Sequence, residues 1–119
     1  MNTSILVADD DHGLRVSLQA LFELAGYDVR LARDGLEALR ALEEREPNLL
    51  VLDLMMPRMN GQGVVDEMER RHLRPRIPVL VLSAASDAPL RAAQLRADGM
   101  IHKPFDIDVA LDEVRRLVG

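Results

Sequence analysis

Five short apolar runs, separated by amphipathic stretches of helical period, constrain this chain more than any other feature. The runs are Ile5–Ala8, Val29–Ala32, Leu49–Leu54, Ile77–Leu82 and Met100–His102. The first, third and fourth are almost continuously apolar, the pattern of strands buried on both faces of a parallel sheet. Between them, Leu14, Leu18, Leu21, Phe22 and Ala25 form a helical stripe that stops at Gly26, a residue favoured just past a helix end. A second stripe, Leu36, Ala38, Leu39 and Leu42, starts near Asp34 and precedes Pro47. Val64, Val65 and Met68 mark a third helix. Leu90, Ala93 and Ala97, with Pro89 near the first turn, mark a fourth, and Val109, Leu111, Val114 and Leu117 a fifth. Strand–helix alternation of this kind predicts an α/β fold, an open parallel sheet doubly wound by helices on both faces through right-handed crossovers.

A chain of 119 residues suffices for one such domain and a core that needs no staples. Cysteine is absent, which removes disulfides and thiolate metal sites. No apolar segment approaches membrane-spanning length, and Met1-Asn2-Thr3-Ser4 has no basic residue to open a signal peptide. The expected location is therefore cytoplasmic. A net charge of −5 argues against direct nucleic-acid binding and suits a protein that meets other proteins.

In open α/β sheets the functional crevice lies beyond the carboxyl ends of the strands. Asp9, Asp10, Asp53, Ser83 and Lys103 fall at such ends on four different strands, so the topology would gather them on one edge. Two like charges about 4 Å apart cost roughly 1 kcal/mol in water and about 4 kcal/mol at an effective dielectric of 20. Three carboxylates at one edge therefore call for a cation, or else for raised pKa values. Oxygen donors without histidine or cysteine select Mg²⁺ or Mn²⁺. The bland role for these acids, helix capping, is assigned to Asp11. Lys103 is the one lysine beside fourteen arginines, which suggests a site that needs a compact ammonium rather than a planar fork. Asp53 is then a candidate nucleophile toward phosphorus, with Ser83 able to donate a hydrogen bond to a phosphoryl oxygen. Asp9, Asp10 and Asp53 against one divalent cation and Lys103 leave the site near neutral.

At this point a resemblance is plain. Asp53-Leu54-Met55-Met56-Pro57-Arg58-Met59-Asn60-Gly61 resembles the phosphoacceptor signature of bacterial response-regulator receiver domains. Ile5-Leu6-Val7-Ala8-Asp9-Asp10-Asp11, Leu82-Ser83-Ala84 and Lys103-Pro104-Phe105 match the other three family signatures in order. The resemblance covers the whole chain, residues 1–119, as a single receiver domain, with no output domain expected. It implies a five-stranded parallel sheet of order 2-1-3-4-5, a flavodoxin-like receiver fold, with a cis bond before Pro104. It also implies Asp53 as the acceptor of a phosphoryl group from a sensor histidine kinase or histidine phosphotransfer domain. By the same resemblance, Asp10, Asp53 and the backbone carbonyl of Met55 ligate Mg²⁺, and Asp9 acts through water. Ser83 is the switch hydroxyl and Lys103 the phosphate cation. The chain is expected to act on a downstream protein target, as a monomer or a weak phosphorylation-dependent dimer. Its chemistry would be confined to its own aspartyl phosphorylation and dephosphorylation, so it is not expected to be a turnover enzyme.

Two departures stand out. Met100 occupies the position where the family usually carries an aromatic switch residue, and methionine, though adaptable, lacks an aromatic's rigid rotamers. The stretch from Ser83 to Lys103 is about two residues shorter than the family pattern, which predicts a fourth helix that is abbreviated or repositioned. Both favour the alternative reading, a receiver-like interaction module acting without phosphorylation, whereas the intact Asp10, Asp53, Ser83 and Lys103 oppose it. An aspartyl-phosphate hydrolase would want an acid two residues after the nucleophile, where this chain has Met55. The surface around Leu14, early in the first helix and next to the acids, is expected to contact a kinase domain, and the basic stretch Arg70–Arg76 to be a solvated helix end and loop.

Overall fold

A computed structural model describes residues 2–119. Among them, five strands and five helices alternate without exception. They are β1 (Ser4–Ala8), α1 (His12–Leu24), β2 (Asp28–Ala32), α2 (Gly35–Glu44), β3 (Leu49–Asp53), α3 (Gly61–Arg70), β4 (Val79–Ser83), α4 (Ala88–Gln94), β5 (Gly99–His102) and α5 (Ile107–Val118). All pairings are parallel, as the apolar pattern predicts, and the order is β2-β1-β3-β4-β5, as the resemblance implied.

Period-two alternation along the strands divides the core between the two faces. Leu6, Ala8, Leu50, Leu52, Val79 and Val81 pack against α2, α3 and α4, where Leu39, Val64, Met68 and Leu95 meet them. Ile5, Val7, Leu49, Val51, Leu80 and Leu82 pack against α1 and α5, around Phe22 and Val114. Every residue of β3 and β4 is buried, which is why those two runs show no polar alternation. Each fully buried aliphatic or aromatic side chain contributes about 1.5–3 kcal/mol.

Helix starts follow side-chain chemistry. Asp11, Asp34 and Asn60 accept hydrogen bonds from Leu14, Glu37 and Gly63 amides, capping α1, α2 and α3. Gly26, at φ +99, turns the chain out of α1 in a left-handed conformation that a Cβ would oppose.

Four expectations shift. The fourth strand starts at Val79 rather than Ile77. Pro78 has no N–H for the ladder, and its carbonyl instead accepts Leu50 N–H at 3.0 Å. In α4, Leu90 and Ala93 face outward, while Ala88, Ala92 and Leu95 make the buried stripe. Both sets fit a helical period, and only the position of the sheet chooses between them. In α5 the buried residues are Ala110 and Val114, with Val109 exposed. The basic stretch after α3 is an exposed helix end and loop at Arg70, Arg71, His72 and Arg76, as expected, and departs from that expectation at Arg74. Arg71 pairs with Glu43 and Glu67, Arg76 with Glu46, and the Arg74 side chain is only 9% exposed, beside Asp98. The α4 helix has seven residues, short as predicted. Among the described residues, no helix is long and apolar enough to cross a membrane.

Candidate functional site

Strand ends deliver the site. Asp9 and Asp10 follow β1, Asp53 ends β3, Ser83 ends β4, and Lys103 follows β5. The sheet order places β3 between β1 and β4, so Asp53 lies at the centre of this edge. Carboxylate oxygens of Asp9, Asp10 and Asp53 all fall within 4.8 Å of one another. Asp9 and Asp53 are buried and Asp10 is exposed, so the cluster opens to solvent on the Asp10 side.

Lys103 balances this charge from across the sheet. Its Nζ donates to Asp9 Oδ2 at 2.8 Å and lies 3.5 Å from Asp53 Oδ2. The Lys103 backbone N–H donates to the Ser83 carbonyl at 2.8 Å, fixing the end of β5 to the end of β4. The peptide before Pro104 is cis, as the resemblance implied; the one before Pro75 is also cis, which the sequence reading did not anticipate. Remaining lone pairs are largely met by backbone. Asp9 Oδ1 accepts the Asp11 amide at 2.9 Å, and Asp53 Oδ1 accepts the Met55 amide at 3.0 Å. Ser83 is fully buried, and its Oγ accepts the Ala85 amide at 3.1 Å. This leaves its own proton for another acceptor.

Electrostatics sets Asp53 apart. Burial pushes its carboxyl up to about 6, and the neighbouring Asp9 charge adds to the rise. The Met55 amide and the Lys103 ammonium oppose that rise without cancelling it. Burial alone would depress Lys103. The hydrogen bond and charge of Asp9 outweigh it and hold the ammonium above the usual lysine range.

The residues singled out from sequence therefore converge, while Met100 stands apart from the acids. It is half-buried on β5, packed on the α4 side of the sheet. Met55 projects its side chain to the surface, 58% exposed. Three further residues make contacts on the edge or its flanking loops without having been singled out. Arg15 donates to the Asp9 backbone carbonyl at 2.7 Å. Asp34, read only as a helix start, and Arg58, an unremarked member of the Asp53–Gly61 signature, form an ion pair. For Arg15 the available signal was its place one turn along α1 from the acids. For Arg58 there was none.

Fold and edge define the class. Residues 5–115 match the model of the response regulator receiver domain, and the chain belongs to that family, the signalling module of two-component systems. Response regulator MprA of Mycobacterium ulcerans is 40% identical over 120 residues, 99% of this chain and 51% of the relative. The chain thus spans about half the length of the curated relatives it matches. The receiver domain of Francisella response regulator 1452 superposes with a TM-score of 0.89 at 30% identity, covering 98% of this chain and 97% of that one. The receiver domain of a signal transduction histidine kinase from Syntrophus aciditrophicus gives the same TM-score and identity over 98% of this chain and 89% of its own. Receiver domains are signalling modules rather than classical enzymes.

Proposed function

We propose that this chain is a phosphoacceptor switch in which Asp53 receives a phosphoryl group from a phosphohistidine donor. The observation that carries the reading is the gathering of Asp9, Asp10, Asp53, Ser83 and Lys103 on one sheet edge from four separate strands. In the transfer, a lone pair of the ionised Asp53 carboxylate forms the new O–P bond. The P–N bond to the donor imidazole breaks, and its electron pair stays on nitrogen. Catalysis of such a step is chiefly positioning and neutralisation of charge. Lys103, already 3.5 Å from Asp53, pairs with a phosphoryl oxygen, and Ser83 donates its hydroxyl proton to another.

The acid cluster fits a hard divalent cation, because its donors are all oxygen and lie close enough to share one ion. Asp10, Asp53 and the Met55 carbonyl would hold Mg²⁺ or Mn²⁺, with Asp9 acting through water. The ion would supply neutralisation of the transferring phosphoryl charge. Donor docking is assigned to the groove beside Lys103, a cavity of about 360 Å³ between α1 and the start of α5, lined by Leu14, Leu18, Leu21, Phe105 and Ile107 among others. Phosphorylation would change the surface offered to a downstream protein target. A module acting without phosphorylation is not favoured, since such a module has no need of this complete set.

Calorimetric titration tests the ion. Mg²⁺ should bind the parent with one site, and Asp10→Asn should weaken binding by about tenfold or more, as loss of a charged ligand implies. Equal affinity in the two proteins would remove Asp10 from the ion site.

A further inference from the structure

Arg58 lies in the loop between β3 and α3 with φ +65. This left-handed conformation is uncommon for a residue with a Cβ. Glycine would occupy it without strain, whereas Arg58 places a long cationic side chain here. That side chain crosses to α2. Its Nε donates to Asp34 Oδ2 at 3.0 Å, and Nη2 donates to the same oxygen. Asp34 is only 3% exposed. Its other oxygen accepts the Glu37 amide at 2.9 Å as the N-cap of α2. One buried carboxylate therefore both starts a helix and fastens a distant loop.

Packing between the two is close. A Cβ built on Gly35 would lie 2.2 Å from the Met59 carbonyl oxygen, so the first residue of α2 touches the loop backbone directly. The ends of the loop are held against the phosphoacceptor strand. Gly61 N–H donates to the Leu54 carbonyl at 3.1 Å, and a Cβ on Gly61 would meet the Asp53 carbonyl at 2.9 Å. Between these anchors runs Met55, whose amide donates to Asp53 Oδ1.

We propose that the Asp34–Arg58 pair is a positioning device for the acidic site, anchoring the loop from α2 so that the Met55 backbone stays registered on Asp53. Arg58 does not touch the reacting atoms. Its effect passes through the loop to two backbone groups of Met55, the amide on Asp53 and the carbonyl assigned to the ion. The inference rests on the phosphoacceptor reading of Asp53. It makes α2, an element remote from the chemistry in sequence, a determinant of ion affinity.

Two substitutions separate this role from simple stabilisation. Arg58→Asn removes the cation but keeps a residue that tolerates left-handed backbone. Asp34→Asn removes the charge but keeps a good helix cap. Each is compared with the parent by Mg²⁺ titration, by amide hydrogen exchange of the metal-free protein, and by thermal midpoint. Both variants should bind Mg²⁺ about tenfold more weakly, the lower end of what losing an outer supporting partner costs. Exchange at Met55 and Met59 should quicken well beyond that of the β1 and β4 amides, with a modest fall in the midpoint from loss of the ion pair to buried Asp34. Arg58→Lys, which keeps charge without the fork, should recover part of the affinity. Parent-like affinity and loop exchange in Arg58→Asn would overturn the proposal, as would a rise in exchange uniform across the loop and the strands. Failure of the parent itself to bind Mg²⁺ would instead overturn the phosphoacceptor reading.

Discussion

In the proposed transfer Asp53 faces two opposed demands, since it must be ionised to attack phosphorus and yet is almost wholly buried. Its carboxyl is raised to about 6 from an ordinary 3.8, first by burial. A raised acid binds its proton more tightly when folded. Its favourable contribution is therefore full below pH 3.8 and is lost as pH rises through about 6. In metal-free protein this should lower stability at pH 7 relative to pH 4 by roughly 1–2 kcal/mol, after allowance for solvent screening. Asp34 works in the opposite direction. Burial would raise its carboxyl, but the Glu37 amide and the Arg58 guanidinium together hold it below the usual range, so its contribution is lost only at lower pH. Denaturant midpoints of the parent and Asp53→Asn across that range isolate the Asp53 effect. The difference should favour the variant at pH 7 and shrink toward pH 4, and parallel curves would refute the raised value. At Lys103 the prediction concerns shape. Lys103→Arg should keep the fold but lose the phosphorylation-induced chemical shifts, since a planar fork does not reproduce a point charge 2.8 Å from Asp9 and 3.5 Å from Asp53. Normal shifts in that variant would contradict the reading of the single lysine. These residues were legible in sequence because an acid or lysine closing an apolar run has few structural reasons to be there. Arg58 was not, because nothing in a sequence reports that its φ is positive or that Asp34 lies within reach.

Strands of this protein were easier to read than its outer helices. β3 and β4 are enclosed on both faces, so every position is apolar up to the functional residue. Helix α4 has seven residues and two overlapping apolar sets, Leu90 with Ala93 and Ala88 with Ala92 and Leu95. The larger Leu90 drew attention to the wrong one. That outward Leu90 is 62% exposed. Met100 is the residue of β5 that packs beneath α4, in register with Val81 two residues before Ser83. If it transmits movement of Ser83, Met100→Ala should reduce phosphorylation-dependent shifts in α4 while leaving the extent of phosphorylation unchanged. An unchanged response would remove Met100 from the switch and leave the α4 backbone as the transmitting element.

Across the whole molecule the decisive property is convergence. No local motif longer than the Asp53–Gly61 segment is needed, because sheet order brings the ends of β1, β3, β4 and β5 to one edge. Right-handed crossovers and strand ends predicted that edge from apolar periodicity alone. What periodicity does not carry is tertiary bracing, such as Arg15 on the Asp9 carbonyl at this edge or half-buried Arg74 beside Asp98 at the opposite end of the sheet. Those contacts depend on side chains crossing between elements. Intact mass tests whether this edge makes Asp53 a phosphoryl acceptor. After incubation with Mg²⁺ and acetyl phosphate, the parent should gain the mass of one phosphoryl group and Asp53→Asn should gain none. No gain in the parent, or an equal gain in both proteins, would contradict the account.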